Sequence, residues 1–310
     1  MARINRILCP IDFSDFSRHA FDRAVAIARG TGASITALHV APSQATPFYT
    51  QIEARAAEAF VLSHADLKAI EVELSRFLNI DALGGVPITC HVVQASHVAA
   101  ELVAYAQRLP ADLIVMGTHG RSGFERLVFG SVTDRVLRTA TASVLTVGVS
   151  DETVGGAFRR ILCATDFSDC SLAAWDYAMS LAADTGAKLA LIHVVEAQPG
   201  VYDILRGPVV DLAGYQLAAE AFGRQRLQTL AAAAAAKGVV VEQLVVAGQP
   251  HRVIAQQAAI WCCDLIVLGI HGRHPIDRLL FGTTTERVVR RATCPVLAVR
   301  PAAPVASAAA

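Results

Sequence analysis

Apolar residues in this chain occur in short runs that alternate with segments whose apolar positions recur every three or four residues, as at Phe21, Val25 and Ala28. Short runs are typical of buried strands, and the wider spacing is typical of amphipathic helices. The runs predict strands at residues 7–11, 34–40, 88–94, 113–116, 144–147, 161–165, 188–195, 239–247, 265–268 and 296–299.

The segments between these runs predict the helices. In each half one helix follows the first strand; these two helices stop at Gly30–Gly32 and at Gly186. The other helices cover about 54–79, 97–108, 132–138, about 215–237, 251–262 and 284–291. Strands that alternate with helices, and that are apolar almost throughout, are typical of a parallel sheet covered on both faces. With right-handed crossovers the prediction is a doubly wound α/β fold.

The second half of the chain repeats the first. Residues 6–15 recur at 160–169 with a shift of 154 positions, and Asp112–Gly117 recurs as Asp264–Gly269 with a shift of 152. The repeat predicts two tandem five-stranded domains, 1–149 and 157–301, of ordinary domain size. Between them lies a linker that contains Gly155-Gly156, and residues 302–310 are expected to form a disordered tail.

A glycine pattern follows the fourth strand of each copy. It consists of two glycines three positions apart, nine further residues, and a Gly-Ser or Gly-Thr pair that opens the next helix: Gly117, Gly120, Gly130-Ser131 and Gly269, Gly272, Gly282-Thr283. Glycine lets the backbone approach an anion closely, and a helix N-terminus offers unpaired amides and a positive dipole end. Because ligands of doubly wound sheets bind at the carboxyl ends of the strands, this pattern predicts a phosphate site there.

The duplicated pattern, preceded by the turn Asp12-Phe13-Ser14 and its copy Asp166-Phe167-Ser168, resembles the ATP-binding branch of the universal stress protein family. Each half of the chain shows this resemblance, and the two copies together cover nearly the whole sequence. It implies Rossmann-like domains similar to the adenine nucleotide alpha-hydrolases, with ATP as the ligand and Mg²⁺ bridging its phosphates. It also implies that the strands at 144–147 and 296–299 pair with each other within one chain. Two such chains could then form a dimer.

The resemblance implies a set of ligand contacts in each copy. Beside adenosine and adenine it places Asp12, Val40, Met116, Asp166, Val194 and Leu268. On the phosphates it places the backbone of Gly117, Gly120, Gly130, Ser131, Val132, Gly269, Gly272, Gly282, Thr283 and Thr284. The second copy departs from the pattern at His274-Pro275, where the first has Ser122-Gly123, so its site is expected to be the weaker one.

Other interpretations of the same residues stay open. Asp12 and Asp166 could cap the first helix of each copy as well as contact ligand. His119 and His271 could shape the loop or take part in catalysis. The arginines of the loops could lie in solvent or contact phosphate: Arg121, Arg126, Arg273 and Arg278.

The composition of the chain argues against several classes of function. The formal net charge is zero and no basic cluster is long enough to indicate nucleic-acid binding. No apolar run reaches the ~18–20 residues of a membrane span, and no signal peptide is visible at the start. The seven cysteines are scattered and odd in number, which favours reduced thiols and a cytoplasmic location.

The motifs of several nucleotide enzymes are missing. Neither the Gly-Lys-[Ser/Thr] ending of a P-loop nor the pattern G-x-G-x-x-G occurs, and the three lysines lie far from both loops. We therefore expect a nucleotide-responsive binding protein of the stress response, with an unknown protein partner and at most slow hydrolysis. The alternatives are a genuine ATPase or nucleotidyl-transferring enzyme using His119 or Asp12, an interaction module without nucleotide, and a flavin-binding electron carrier.

Overall fold

The computed structural model describes residues 4–43, 61–119, 129–148, 157–196, 212–272 and 282–301, and its chain divides into two compact units between Ala157 and Phe158. The first unit contains β1 (Arg6–Pro10), α1 (Asp15–Thr31), β2 (Ser34–Pro42), α2 (His64–Leu78), a 3-10 turn (Ile80–Ala82), β3 (Ile88–Ala95), α3 (Val98–Arg108), β4 (Leu113–Gly117), α4 (Ser131–Thr139) and β5 (Ser143–Val147). The second contains β6 (Arg160–Ala164), α5 (Asp169–Thr185), β7 (Lys188–Val195), α6 (Leu212–Ala235), β8 (Val241–Ala247), α7 (Pro250–Ile260), β9 (Leu265–Gly269), α8 (Thr283–Arg291) and β10 (Val296–Val299).

Each unit is built on a parallel sheet. The strand order is β3-β2-β1-β4-β5 in the first unit and β8-β7-β6-β9-β10 in the second. In the first sheet the register pairs Ile7 with Ile35 on one side and with Leu113 on the other. In the second sheet Ile161 pairs with Leu189 and Leu265 in the same way. The predicted α/β fold with a parallel sheet in each repeat is therefore confirmed.

The central strands form the core of each unit. Every side chain of β4, β5, β9 and β10 is buried, as expected for strands covered on both faces. The outer strands β3 and β8 keep several side chains exposed. Strand β8 begins at Val241 and not at the predicted residue 239, because the turn at Gly238 bonds the Val239 amide back to Ala234 of helix α6.

The ends of α1 and α5 follow from their sequences. Ser14 and Ser168 cap the two helices, since each hydroxyl accepts a hydrogen bond from the amide three residues later. Gly32 and Gly186 end them with φ of 73° and 69°, a left-handed conformation that favours glycine. The predicted stops at Gly32 and Gly186 thus correspond to real helix ends.

The start of α2 corrects a prediction. The apolar spacing predicted a helix over about 54–79, but residues 61–63 are not helical and the helix begins at His64; residues 54–60 lie outside the described residues. Ser63 caps it, because its hydroxyl accepts from the Asp66 amide while the Asp66 carboxylate accepts from the Ser63 amide. This capping box outweighs the weaker apolar spacing before it.

An aspartate before the fourth strand of each unit holds the beginning of the first strand. The carboxylate of Asp112 accepts the amides of Asn5 and Arg6 at 2.8 and 2.9 Å. Asp264 accepts the amides of Arg159 and Arg160 at 2.7 and 2.9 Å. The repeated aspartate of the strand-four motif therefore acts at the end of the sheet opposite the glycine loop.

Replacement of Asp264 by alanine is expected to lower the free energy of unfolding by about 3 kcal/mol, because two charge-assisted hydrogen bonds of a buried carboxylate are lost. Asp264→Asn keeps one acceptor but turns its NH₂ group toward the second backbone N–H, so it should lose nearly as much. Asp112→Ala, at an exposed carboxylate, should lose less still. Denaturant unfolding of the full chain measures all three, and equal losses for Asp264→Ala and Asp112→Ala would contradict the assignment.

The cysteines are all free thiols. Burial raises the pKa of Cys9 and Cys163 far above the usual range and that of Cys263 to about 12, so these three remain protonated at neutral pH. Cys262, two residues after the end of α7, is exposed and has a φ of 50°. In the described part of the chain, no helix combines the length and apolar character needed to cross a bilayer.

Candidate functional site

The turn after the first strand carries the aspartate that the sequence singled out. Asp12 follows β1, and its Oδ1 accepts hydrogen bonds from the amide and the hydroxyl of Ser14 at 3.1 and 2.5 Å. Asp166 accepts the same pair from Ser168 at 3.0 and 2.6 Å. Each carboxylate is thus oriented by the serine that caps the following helix, and each stays partly exposed. Capping and ligand contact are compatible roles at these positions.

This turn holds an uncommon backbone conformation. Phe13 and Phe167 have φ of 63° and 65°, which costs free energy for a bulky side chain. The Phe13 ring packs 4.9 Å from the ring of His39, whose Nδ1 lies 2.7 Å from the Ile11 carbonyl. Such conformations cluster at functional sites, where the surrounding structure holds them.

The second unit repeats this arrangement. Phe167 lies 4.5 Å from His193, whose Nδ1 is 2.9 Å from the Thr165 carbonyl oxygen. Sequence reasoning missed the two histidines, although the signal was present as His39-Val40 and His193-Val194 at equivalent positions. The valines lie near the ends of β2 and β7, as predicted; Val40 is buried and Val194 is half-buried.

The glycine that ends the fourth strand allows a helix to approach it. A Cβ on Gly117 would lie 2.9–3.0 Å from Phe16 at the start of α1. A Cβ on Gly269 would lie 2.7 and 2.8 Å from the carbonyl carbon and oxygen of Cys170. These glycines, which follow the buried Met116 and Leu268, bring the aspartate turn and the end of the fourth strand together.

The Gly-Ser and Gly-Thr pairs open helices as predicted, but the glycine amides are already engaged. The Gly130 amide donates to the Thr118 carbonyl at 2.9 Å, and the Gly282 amide donates to the Ile270 carbonyl at 3.0 Å. In the described structure these two amides are therefore engaged within the protein, and their contact with phosphate stays a prediction. Their role in the described structure is to close the loop so that the helix begins beside the strand end.

The amides that follow the glycines remain as donors. Among the described residues no side chain caps α4 or α8, so the amides of their first turns, at 131–133 and 283–285, point out of the helix start. Thr133 and Thr285, which sequence reasoning did not single out, donate their hydroxyls to the Gly117 and Gly269 carbonyls at 2.9 and 2.8 Å. These bonds fix each helix start against its strand.

A further glycine places the Asp166 carboxylate beside the loop of the second unit. A Cβ on Gly272 would lie 2.9 Å from Asp166 Oδ2. The carboxylate of the turn and the glycine of the loop therefore face one another at the carboxyl end of the sheet. The equivalent Gly120, the loop arginines, Ser122-Gly123 and His274-Pro275 lie outside the described residues.

His119 follows the strand end and is half-buried. Its ring lies 4.9 Å from the Phe16 ring, and its Nδ1 is 3.0 Å from the Thr118 hydroxyl. Burial lowers its pKa below the usual histidine value. The neutral imidazole is therefore the main form at neutral pH, and His119 gains its positive charge only as the pH falls.

A cleft of about 290 Å³ lies next to the start of α4. Its lining includes Ser131, Val132 and Arg135 on one side and the first turn of α3, from His97 to Ala100, on the other. In the part of the chain that the structure describes, no side chain caps α3 either, so two helix N-termini line this space. Two positive helix ends and a guanidinium favour an anion.

Comparison with known proteins identifies the domain. The family model described as the universal stress protein family matches residues 3–148 and again 157–300. A universal stress protein of Thermus aquaticus is 35% identical over 147 residues, which are 46% of this chain and 99% of that protein.

A solved structure shares the fold over almost the whole chain. The universal stress protein of Archaeoglobus fulgidus DSM 4304 superposes with a TM-score of 0.68 at 22% identity, covering 96% of this chain and 99% of that chain. A universal stress protein solved in complex with cAMP is 27% identical, covering 47% of this chain and 98% of that chain with a TM-score of 0.34. Since the family model matches almost the full length in two successive copies, the chain belongs to the universal stress protein family and carries its domain twice.

Proposed function

We propose that each unit binds an adenine nucleotide, with ATP as the ligand, and that the protein acts as a nucleotide-responsive binding protein of the stress response. One observation carries the proposal. In both units an uncapped helix start is bonded to the residue that follows the fourth strand, and the first helix, which begins three residues after the oriented aspartate, approaches the last glycine of the same strand. Amides supply donors for phosphates, and the carboxylate supplies an acceptor for the nucleoside.

The phosphates would lie on the amides of the first helical turns. These are Ser131, Val132 and Thr133 in the first unit and Thr283, Thr284 and Thr285 in the second. A hydrogen bond to a charged group contributes about 1.5–3 kcal/mol, so several together support micromolar binding. Mg²⁺ would be bound together with the nucleotide and would supply positive charge to its phosphates. Among the described residues there is no group of three His, Cys, Asp or Glu placed to hold a metal.

Hydrolysis is expected to be slow. His119 packs on Phe16, and Asp12 already accepts two hydrogen bonds from Ser14, so both side chains are engaged within the protein. Turnover faster than about one per second, in the ordinary enzyme range, that disappears in His119→Ala would instead support the enzyme alternative.

The identity of the ligand is tested by releasing bound small molecules. The purified chain is denatured, and the supernatant is separated by chromatography beside standards of ATP, ADP, AMP, cAMP and flavins. We expect adenine nucleotide in the wild-type chain and a reduced amount in the double variant Ser131→Pro/Thr283→Pro. A chain that retains no nucleotide, and takes none up when ATP is added, supports the interaction-module alternative.

A further inference from the structure

The residue that follows the first strand differs between the two units. In the first unit it is Ile11, and in the second, 154 positions later, it is Thr165. Both side chains are buried. The backbone is paired alike at both positions, because each residue donates its amide at 2.9 Å to a carbonyl of the neighbouring strand, that of Leu38 or of Ile192. The two aspartate turns therefore start from the same backbone arrangement, and only the second has a hydroxyl there.

The Thr165 hydroxyl bonds to the backbone of the left-handed residue of the turn. Its Oγ1 accepts the amide of Phe167 at 3.0 Å and lies 3.1 Å from the Ser171 hydroxyl oxygen. Since Ser171 gives its one hydroxyl hydrogen to the Ser168 carbonyl oxygen at 2.9 Å, Thr165 is the donor in the bond between the two hydroxyls. Donation thus runs in one direction, from the turn amide through both hydroxyls and back to a carbonyl of the turn.

These bonds hold the residues that orient the candidate ligand group. Ser168, which accepts the last of them, donates its own amide and hydroxyl to Asp166 Oδ1. Phe167, whose amide donates the first, joins Asp166 to Ser168 and has a φ of 65°. Its ring is held as well, since it lies 4.5 Å from the ring of His193. The protein itself therefore fixes both the backbone and the ring of the residue next to the carboxylate.

The side chain at the same position of the first unit cannot make this bond, because Ile11 carries no hydroxyl. The Ser17 hydroxyl, which donates to the Ser14 carbonyl at 2.9 Å, accepts the Asp12 amide at 3.4 Å. This distance exceeds the range of about 2.7–3.2 Å that N–H···O hydrogen bonds usually have. The turn around the left-handed Phe13 is thus held less firmly through its backbone than the turn of the second unit.

We infer that Thr165 is a positioning residue of the second unit, whose hydroxyl holds the turn so that the Asp166 carboxylate is already oriented for a nucleotide. That Asp166 contacts a nucleotide rests on the proposed function. A turn held in its binding conformation has less freedom to lose on association, so the affinity rises without a new contact to the ligand. Thr165 acts in the opposite direction to the departure at His274-Pro275, which predicted a weaker second site.

Hydrogen exchange of the full chain, followed by mass spectrometry, reports on each turn separately. Both turns read Asp-Phe-Ser, so their unprotected amides exchange alike. Without nucleotide, we expect the Phe167 amide to exchange more slowly than the Phe13 amide, because it donates to a buried hydroxyl that Ile11 cannot provide. Thr165→Val keeps the shape of the side chain but removes the hydroxyl, and should speed exchange at Phe167 about three- to tenfold. Thr165→Ser should preserve the protection.

The same exchange measured against ATP concentration gives the affinity of each unit, from the concentration that half-saturates the change in that unit. We expect Thr165→Val to weaken ATP binding in the second unit about three- to tenfold and Thr165→Ser to restore most of the affinity. In the first unit Ile11→Thr should bind ATP more tightly than Ile11→Val, which has the same shape without the hydroxyl. Melting temperatures show whether each variant is folded.

The outcomes separate this inference from the proposed function. If Thr165→Val binds ATP like the wild type, with unchanged exchange at Phe167, the positioning role is refuted and the proposed function stands. If exchange at Phe167 becomes faster but the affinity for ATP is unchanged, Thr165 only stabilises the turn, and the positioning role is refuted as well. A wild-type chain that shows no response to ATP refutes the proposed function, and the role of Thr165 toward a nucleotide fails with it.

Discussion

Replacement of Gly269 by alanine is expected to destabilise the second unit by about 3 kcal/mol or more. The new Cβ would lie 2.7 Å from the carbonyl carbon of Cys170 and 2.9 Å from the Ser171 amide. These are backbone atoms of helix α5, so the helix as a whole must move away from the buried strand β9. Overpacking of this kind typically costs 1–3 kcal/mol, and rigid backbone leaves little relief. Urea unfolding of the full chain measures the loss.

Two further glycine substitutions serve as controls for this effect. Gly117→Ala should destabilise the first unit similarly or slightly less, because its closest contact, at 2.9 Å, is the Phe16 side chain. Gly30→Ala lies in helix α1 with nothing within 4 Å of its Cβ, and should stabilise by up to about 1 kcal/mol. A Gly269→Ala variant as stable as the wild type would refute the close approach of helix and strand.

Replacement of the first residue of α4 or α8 by proline is expected to weaken ATP binding about 10- to 100-fold in that unit. Proline is favoured at the first helical position, and the preceding Gly130 and Gly282 have ψ near 130°, which a following proline accepts. Ser131→Pro and Thr283→Pro therefore preserve the helix but remove one amide donor. The loss of one charge-assisted hydrogen bond, about 1.5–3 kcal/mol, sets the expected range.

Alanine at the same positions provides the matched control. Ser131→Ala and Thr283→Ala lose the hydroxyl but keep the amide, so their affinity for ATP should change only a few-fold. Isothermal titration with ATP compares the two series at equal melting temperature. If the proline and alanine variants of one unit bind ATP equally well, the first-turn amide does not hold a phosphate, and the phosphates lie elsewhere.

Most of the fold could be predicted because it depends on local patterns and on the repeat. The apolar runs located strands such as β4 and β9, and the glycines at 32 and 186 marked the ends of α1 and α5. The start of α2 could not be placed by apolar spacing, since the exposed capping box at Ser63 and Asp66 decides it. The capping box is visible in the sequence, and where it disagrees with the apolar spacing it determines where the helix begins.

The candidate site was predicted in position but not in detail. The spacing of Gly130 and Gly282 located the helix starts, yet only the structure shows that their amides close the loop by bonding to Thr118 and Ile270. Such bonds join residues twelve positions apart through a loop whose path no local propensity determines. The left-handed backbone conformation of Phe13 could not be predicted from the sequence either, since it depends on packing against His39.

The difference between the two units could not be predicted from the sequence either. The departure at His274-Pro275 predicted a weaker second site, and that prediction stays untested because these residues lie outside the described ranges. Arg291 and Arg252 are separated by 39 positions, and because α8 packs on α7 the positive charges of both lower the pKa of His251. A sequence motif does not indicate which charged helix faces pack against each other when they are this far apart along the chain.

Titration of the full chain with ATP, followed by calorimetry, tests most directly whether the helix starts of both units hold a nucleotide. We expect saturable heat in the micromolar range with close to two ATP molecules per chain, falling to one when Thr283→Pro weakens the second unit. A flat titration up to millimolar ATP, in a chain that unfolds cooperatively and was purified free of nucleotide, would contradict the proposal for both units at once.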